Sequence, residues 1–322
     1  MTGTFLIHGT TLTLACFAAV NLFASALVIW IARRPSPSQP AAFWFGLRLL
    51  PAGTALVLAA LVFVPSYWRY EPRQTTEAMD LTTTAFALVG VAMLSAGVVR
   101  GASSWWRARQ RTHAWMHTAR PTLLRAAGSD RVPPTYVIDA DAPIMALVGL
   151  LRPRLLVTRG LIAALTEEEL AASVAHEMGH AGAWDNFKRL AMRAAPDLLA
   201  STSAARAVER RWVSASEQAA DRMCGAATPP RRHALASALV KVARLMPPEP
   251  TMGEPISTLI GGGEIAARVR VLLDDRVTPP AAGRRTLSWL CAAAALVVLA
   301  LGYQPLLHGM HELTEVVVQA VP

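Results

Sequence analysis

Four long apolar runs constrain this chain more than any other feature of its sequence. They cover, approximately, residues 12–31, 43–64, 81–99 and 286–303. A transmembrane helix needs about 20 predominantly apolar residues to cross a hydrocarbon core of about 30 Å. Charged residues make up 16% of the chain, against about 25% in soluble domains. The sequence therefore predicts an α-helical membrane protein with four transmembrane helices in contact with membrane lipids.

Arginines beside these runs predict how the chain is oriented. They follow the first and third runs and precede the fourth, as Arg33, Arg34, Arg100, Arg107, Arg109, Arg111, Arg284 and Arg285. Short loops rich in arginine face the cytoplasm, and all three segments lie on one side if the runs alternate. We therefore expect a multi-pass protein of the inner or plasma membrane with its N-terminus and C-terminus outside.

This orientation divides the chain into four parts. Residues 1–100 would hold three spans, and residues 101–285 would form a cytoplasmic domain large enough to bury its own core. A fourth span at 286–303 and a short extracytoplasmic tail at 304–322 would follow.

Two positions in the apolar runs allow alternative interpretations. The first run resembles a signal peptide in length, but no basic segment precedes it and Arg33 follows it, so we expect an uncleaved span. Arg48 lies inside the second run, where a charge is costly. We expect it to face other helices or to reach toward the cytoplasmic interface.

Composition argues against two other classes of protein. The net charge of +9 is typical of nucleic-acid-binding proteins, but the arginines cluster beside the apolar runs, so we expect no direct contact with nucleic acid. Cys16, Cys224 and Cys291 form no CxxC pair. Neither a disulfide scaffold nor a cysteine-bound zinc module is therefore predicted.

The predicted cytoplasmic domain begins with elements of mixed type. Residues 105–128 are basic and aromatic, which predicts a helix on the membrane surface. Val137–Ile138, Ala146–Val148 and Leu155–Val157 are short apolar runs separated by turn residues. They predict a small antiparallel sheet.

A long helix is predicted over residues 166–193, TEEELAASVAHEMGHAGAWDNFKRLAMR. Thr166 and Glu169 have the spacing of a capping box at its start. His176 and His180 are four residues apart, so they share one face at about 3.6 residues per turn. That face lies about 200° away from the apolar stripe of the same helix.

The HEMGH sequence within this helix has the spacing of a metal site. His176 and His180 can each direct a nitrogen at one ion. Glu177 is rotated by about 100° from His176; it is poorly placed as a ligand, but it can hold a water molecule and accept its proton. Glu217, on a helix predicted over 204–226, is the best third ligand, and Asp221 can accept a hydrogen bond from a ligand imidazole.

HExxH alone also occurs by chance on solvated helix faces. The capped helix, the small residues on the histidine face and the downstream ExxxD sequence favour the metal site over that interpretation. The prediction is one Zn²⁺ per chain, with His176, His180 and Glu217 as ligands and Glu177 as the catalytic general base.

Two segments carry a resemblance to a known family. LRPRLLVTRGLIAALTEEELAASVAHEMGHAGAWDNFKRL and SEQAADRMC resemble the BlaR/MecR family of integral-membrane zinc metallopeptidases. The likeness covers the cytoplasmic domain, and three spans before it and one after it also fit. The resemblance implies an α+β zincin (gluzincin-like) metalloprotease domain in which His176, His180 and Glu217 bind zinc, Glu177 is the general base and Asp221 orients a ligand histidine.

The resemblance also implies a regulatory role. Signalling members of that family cleave a cytoplasmic transcriptional repressor in response to an extracellular signal. They carry a penicillin-binding sensor domain after the fourth span, where this sequence has residues 304–322 without an S-x-x-K motif. We therefore expect no direct acylation by a β-lactam.

The function expected from the sequence is a zinc endopeptidase, a hydrolase, that cleaves a cytoplasmic protein such as a repressor during regulated signalling. One alternative is a quality-control peptidase like HtpX and the CAAX proteases, which share HExxH and ExxxD. Leu259 and Ile260 stand where that family often has His-Pro. Another alternative is a non-catalytic signalling adaptor, which would have no use for Glu177. The oligomeric state is left open, and it includes a homo-oligomer.

Overall fold

The computed structural model describes residues 3–34, 39–73, 80–122, 133–225, 229–245, 265–274 and 302–316. This part of the chain is mostly helical and contains one small mixed sheet.

Three long apolar helices dominate the N-terminal part. Helix α1 is Gly3–Ala32, α2 is Ala41–Leu58 and α4 is Leu81–Thr118; a π-helical turn, Ala59–Phe63, joins α2 to α3, Val64–Tyr70, in one continuous rod. By length and composition, α1, the α2–α3 rod and α4 can each cross a membrane. They contain the first three predicted spans. The fourth, 286–303, lies outside the described residues except at 302 and 303.

The π-helical turn creates a docking point for the last described helix, α11, residues 302–316. Pro65 has no N–H to donate to the carbonyl of Leu61. The hydroxyl of Tyr303 donates to that carbonyl at 2.6 Å, and the Ser66 hydroxyl donates to the carbonyl of Leu307 at 2.7 Å. Helix α11 therefore lies against the C-terminal end of the α2–α3 rod.

Helix α4 is longer than the predicted third span. It has 38 residues, which is about 57 Å at 1.5 Å per residue, against a hydrocarbon core of about 30 Å. The separate membrane-surface helix predicted from residue 105 is therefore wrong, because residues 105–118 continue the same helix. No proline lies between Leu81 and Thr118, so nothing in the sequence stops the helix at the membrane surface.

The sheet has four short strands in the order β1-β2-β4-β3. They are β1 Arg120–Thr122, β2 Thr135–Ile138, β3 Met145–Val148 and β4 Arg154–Thr158. The prediction of an antiparallel sheet is wrong for one pair, since β2 and β4 are parallel. Strands β3 and β4 form an antiparallel hairpin, and β4 then pairs along its other edge with β2, with Thr135 opposite Leu155 and Ile138 opposite Thr158.

In the described residues between β1 and residue 274, six α-helices and a short 3-10 turn, Leu199–Ser201, accompany the sheet. The α-helices are α5 Arg159–Ala164, α6 Glu167–Gly182, α7 Asp185–Ala194, α8 Ser203–Gly225, α9 Pro229–Leu245 and α10 Ile265–Leu273. Val157 of β4, Val174 of α6 and Leu239 of α9 belong to one buried apolar cluster. This cluster supports α6 from the side opposite its histidines.

The single long helix predicted over 166–193 is in fact two helices. Trp184 adopts a left-handed backbone conformation, with φ of 58°, and separates α6 from α7. This conformation is uncommon for a residue other than glycine. The break lets α7 turn back, so that Asp185 at its start reaches the side chain of His180.

The long apolar helices and the segment that follows α7 share a polar, tightly packed junction. Arg48 of α2 is fully buried; it donates to Asp197 at 2.8 Å and to Glu209 at 3.0 Å. Asn21 of α1 donates to the carbonyl of Pro196 at 2.9 Å. A Cβ on Gly97 of α4 would lie 2.7 Å from the carbonyl oxygen of Ala194 and 2.9 Å from the Cα of Pro196. The residues after α7 therefore lie between all three long helices.

Candidate metal and catalytic site

The two histidines of the site are presented by α6, whose start is fixed by its cap. The hydroxyl of Thr166 accepts from the Glu169 amide at 3.3 Å, and the Glu169 carboxylate accepts from the Thr166 amide at 2.8 Å. This is the predicted capping box, and it is confirmed. The histidine face is not solvated: His176 is 0% and His180 is 4% exposed, because α8 covers that face.

Helix α8 brings Glu217 and Asp221 to the same place, one helical turn apart. Both carboxylates are buried. The two helices approach closely because Gly179 faces α8: a Cβ at this position would lie only 3.0 Å from the Cα of Ala220. A glycine one residue before His180 thus allows the carboxylates of α8 to reach the imidazoles of α6.

The three predicted ligand side chains have the spacing of a tetrahedral metal site. The Nε2 atoms of His176 and His180 are 3.2 Å apart. The Glu217 carboxylate oxygens lie 3.4 Å from the first and 3.5 Å from the second of these nitrogens. Ligand atoms at about 2.0–2.1 Å from a tetrahedral zinc ion would be about 3.3–3.4 Å apart. The group therefore fits a metal ion.

The hydrogen bonding of Glu217 supports the same conclusion. Both carboxylate oxygens are buried, and neither accepts an aligned hydrogen bond from the described residues. A buried ionised carboxylate without such bonds is costly unless a cation compensates it. The Arg268 guanidinium, 2.9 Å from Oε2, supplies part of that compensation but also pairs with Asp221, and a metal ion between the three side chains would supply the rest.

Two further carboxylates orient the imidazoles. Asp221 Oδ1 lies 2.9 Å from His176 Nδ1, which is the contact expected from the sequence. Asp185 Oδ2 accepts from His180 Nδ1 at 2.7 Å, and sequence reasoning missed this residue. Each contact engages Nδ1 and leaves Nε2 directed at the ligand group. Asp185 follows HEMGH by five positions, but only the backbone break at Trp184 brings it back to His180.

Sequence reasoning also missed Arg268 of α10. Its guanidinium donates to Asp221 at 2.7 and 2.9 Å and lies 2.9 Å from Glu217 Oε2. The side chain is 5% exposed. The sequence signal that could have found it is its helical spacing, which places Arg268 rather than Arg270 on the same face as Ile265, Val269 and Leu272. Arg268 balances the negative charge of both α8 carboxylates.

These contacts shift the pKa values of the site. Burial alone would lower the pKa of His180, but hydrogen bonds to Asp185 and Glu217 raise it to about 9. The pKa of His176 is raised against burial by Asp221 and Glu217. Burial opposes the shift at Glu217 and Asp221 too, yet the histidines and Arg268 lower both pKa values. Without a metal ion the cluster therefore favours ionised carboxylates and protonated imidazoles, and a bound metal ion would displace the protons from the two imidazoles.

Glu177 lies next to His176 in the chain and lines a cleft. It is 1% exposed, and together with His180 it lines this cleft of about 990 Å³. The extended part of α4, the segment around β3 and helix α7 form the walls of this cleft. A substrate in the cleft would therefore have access to both Glu177 and His180.

One protein-family model matches part of the chain. The family model of peptidase family M48 matches residues 110–248, a segment that contains HEMGH, Glu217 and Asp221 but not Arg268. No curated protein matches the chain. The family match indicates a metallopeptidase, which is a hydrolase.

With the three apolar helices, the match fits a membrane-associated metallopeptidase. It supports a membrane-type zinc metallopeptidase family, and the narrower resemblance to BlaR/MecR stays a prediction.

Proposed function

We propose that this protein is a membrane-held zinc endopeptidase with a zincin-type active site. The observation that carries the proposal is the triangle of His176, His180 and Glu217, whose nearest ligand atoms are separated by 3.2–3.5 Å. Two imidazoles and one carboxylate form a ligand set of catalytic zinc, which keeps its fourth position open. When bound, zinc would polarise a peptide carbonyl and lower the pKa of water.

Glu177 is the general base in this proposal. It takes a proton from the attacking water and returns it to the leaving amine. Its position supports the role, because it neighbours His176 in the chain and lines the cleft with His180. Asp185 and Asp221 hold the imidazoles in place, and Arg268 keeps the α8 carboxylates ionised.

The membrane arrangement supports a cytoplasmic active site. The arginines beside the spans favour a cytoplasmic location for the catalytic domain. The domain packs on the end of α1 near Val28, whereas α11 contacts the opposite end, near Phe5. We propose that α11 is extracytoplasmic and that the substrate is a cytoplasmic protein, with a transcriptional repressor as the candidate from the family resemblance.

Glu177→Gln tests the catalytic part of the proposal. The full-length variant should bind zinc like the wild type and cleave no protein, because glutamine cannot accept the proton. Glu168→Gln is the matched control, since Glu168 is an exposed carboxylate on the same helix. Zinc content by metal analysis and peptide cleavage by mass spectrometry would be measured on both purified proteins.

Two outcomes would contradict this proposal. Unchanged cleavage by Glu177→Gln would refute its role as the base. Zinc binding without cleavage by the wild type would favour a non-catalytic adaptor. Comparing cleaved proteins in cells with wild type and Glu177→Gln would then identify substrates and separate soluble repressors from membrane proteins.

A further inference from the structure

The cleft beside Glu177 has a charge pattern that the proposed reaction does not require. Six arginines line it, from α4, from the β3–β4 hairpin and from α7: Arg109, Arg111, Arg152, Arg154, Arg189 and Arg193. The three carboxylates that also line it are Glu177, Asp185 and Glu209. Asp185 is engaged by His180 and Glu209 by Arg48. The cleft is therefore strongly positive around a general base.

Two buried donors in this cleft have no acceptor on the described part of the protein. They are Nε of Arg189 and Nε1 of Trp212, and both residues line the cleft. The Arg189 guanidinium lies 5.6 Å from the centre of the Trp212 ring, so the two groups are neighbours. A buried donor without an acceptor is costly, and buried arginines are normally paired with anions.

We propose that this cleft selects a peptide segment with an acidic side chain beside the scissile bond. The carboxylate would accept hydrogen bonds from Arg189 Nε and Trp212 Nε1, and the surrounding arginines would supply a favourable potential. Charge-assisted bonds to carboxylates are stronger than neutral ones, and a positive cleft also speeds the encounter with an acidic segment. The inference rests on the proposed peptidase function and names its substrate class.

An anionic lipid headgroup is the other source of negative charge near these arginines. A headgroup at the bilayer surface would meet exposed arginines such as Arg109. The unsatisfied donors lie deeper, because Trp212 is 1% exposed and shares the cleft with Glu177. Burial within the cleft that Glu177 also lines therefore favours a substrate side chain over a lipid.

A binding assay on the full-length, zinc-loaded Glu177→Gln variant tests the proposal without turnover. The protein would be placed in nanodiscs of neutral phosphatidylcholine. Fluorescent peptides would differ only by Glu or Gln at one position, scanned over the residues on both sides of a central bond. At the favoured position we expect the Glu peptide to bind about tenfold more tightly, with a smaller difference at high salt. Equal affinity at every position would overturn the proposal.

Arg189→Gln in the otherwise wild-type enzyme tests the assigned residue. We expect a KM about tenfold higher for the Glu peptide, an unchanged kcat, and no change in either constant for the Gln peptide. Arg206→Gln is the matched control, because Arg206 is an exposed arginine on α8 outside the cleft. Equal losses on both peptides would show that Arg189 acts only on the fold, and the proposal would be wrong.

The two proposals fail in different ways. If Glu177→Gln prefers acidic peptides but the wild type cleaves none, the peptidase function fails and the cleft assignment stands. If the wild type cleaves Glu and Gln peptides equally, the function stands and the acidic preference fails. If Arg189→Gln weakens binding only to vesicles that contain phosphatidylglycerol, the site is a lipid site and the acidic-peptide proposal is overturned.

Discussion

Replacing Arg48 by methionine would test whether the buried junction between the long apolar helices and the segment around Asp197 stabilises the whole protein. The Arg48 side chain is 1% exposed and pairs with Asp197, which is 0% exposed, and with Glu209, which is 24% exposed. Methionine keeps much of the length of the side chain but removes the charge. The carboxylate of Asp197 would then stay buried without its cation.

The magnitude follows from the burial of the two partners. Removing one member of a buried ion pair costs about 3–5 kcal/mol, because the other charge is left uncompensated. The partly exposed Glu209 adds at most about 1 kcal/mol. Since domains are stable by only about 5–15 kcal/mol, Arg48→Met should remove a large part of the free energy of unfolding. Arg48→Met with Asp197→Asn should recover most of the loss.

The assay is urea unfolding of the full-length protein in micelles, read by proteolysis of the unfolded fraction. Arg33→Met is the matched control, because Arg33 is an exposed arginine at the same end of the spans. A loss below about 1 kcal/mol, the size of an exposed pair, would refute the reasoning. So would a double variant as unstable as Arg48→Met.

Three further predictions concern α6 and its partners. Gly179→Ala should lower the melting temperature, because the new Cβ would lie 3.0 Å from the backbone of α8 and overpacking costs about 1–3 kcal/mol. Gly182→Ala is the control, because a Cβ there has open space around it and should leave the melting temperature unchanged. Asp221→Asn should weaken zinc binding about 10–100-fold in a chelator titration, and an unchanged affinity would contradict its orienting role. Burial opposes the shift, yet Lys241 holds the pKa of Glu169 below its ordinary 4.5. The difference in the free energy of unfolding between wild type and Glu169→Gln, measured across pH, should therefore have its full size above pH 4.5 and disappear as the pH falls through the lowered pKa of Glu169. A difference that does not change with pH would contradict this prediction.

Local periodicity made part of the site predictable. Histidines four residues apart share a face on any α-helix, and the same spacing places Glu217 and Asp221 together on α8. The capping box of α6 could be read from Thr166 and Glu169 because all its partners lie within one turn.

Contacts that form only after the chain changes direction were not predictable from the sequence. Asp185 is close to His180 in the sequence, but their contact requires Trp184 to adopt a left-handed backbone conformation. The amino-acid sequence gives no indication of that conformation. Arg268 reaches Asp221 across 47 positions of the chain. The parallel pairing of β2 and β4 likewise depends on where the β3–β4 hairpin docks.

By itself, the sequence determined three apolar helices long enough to cross a membrane, the helix that carries HEMGH and the types of side chain available to a metal, because each depends on residues within a few turns of one another. The tertiary structure decided which carboxylate orients each histidine, that Arg268 balances the α8 acids, and that Arg48 of α2 pairs with Asp197 and Glu209. These contacts join segments up to 161 positions apart, and their partners are selected by helix packing rather than by local spacing.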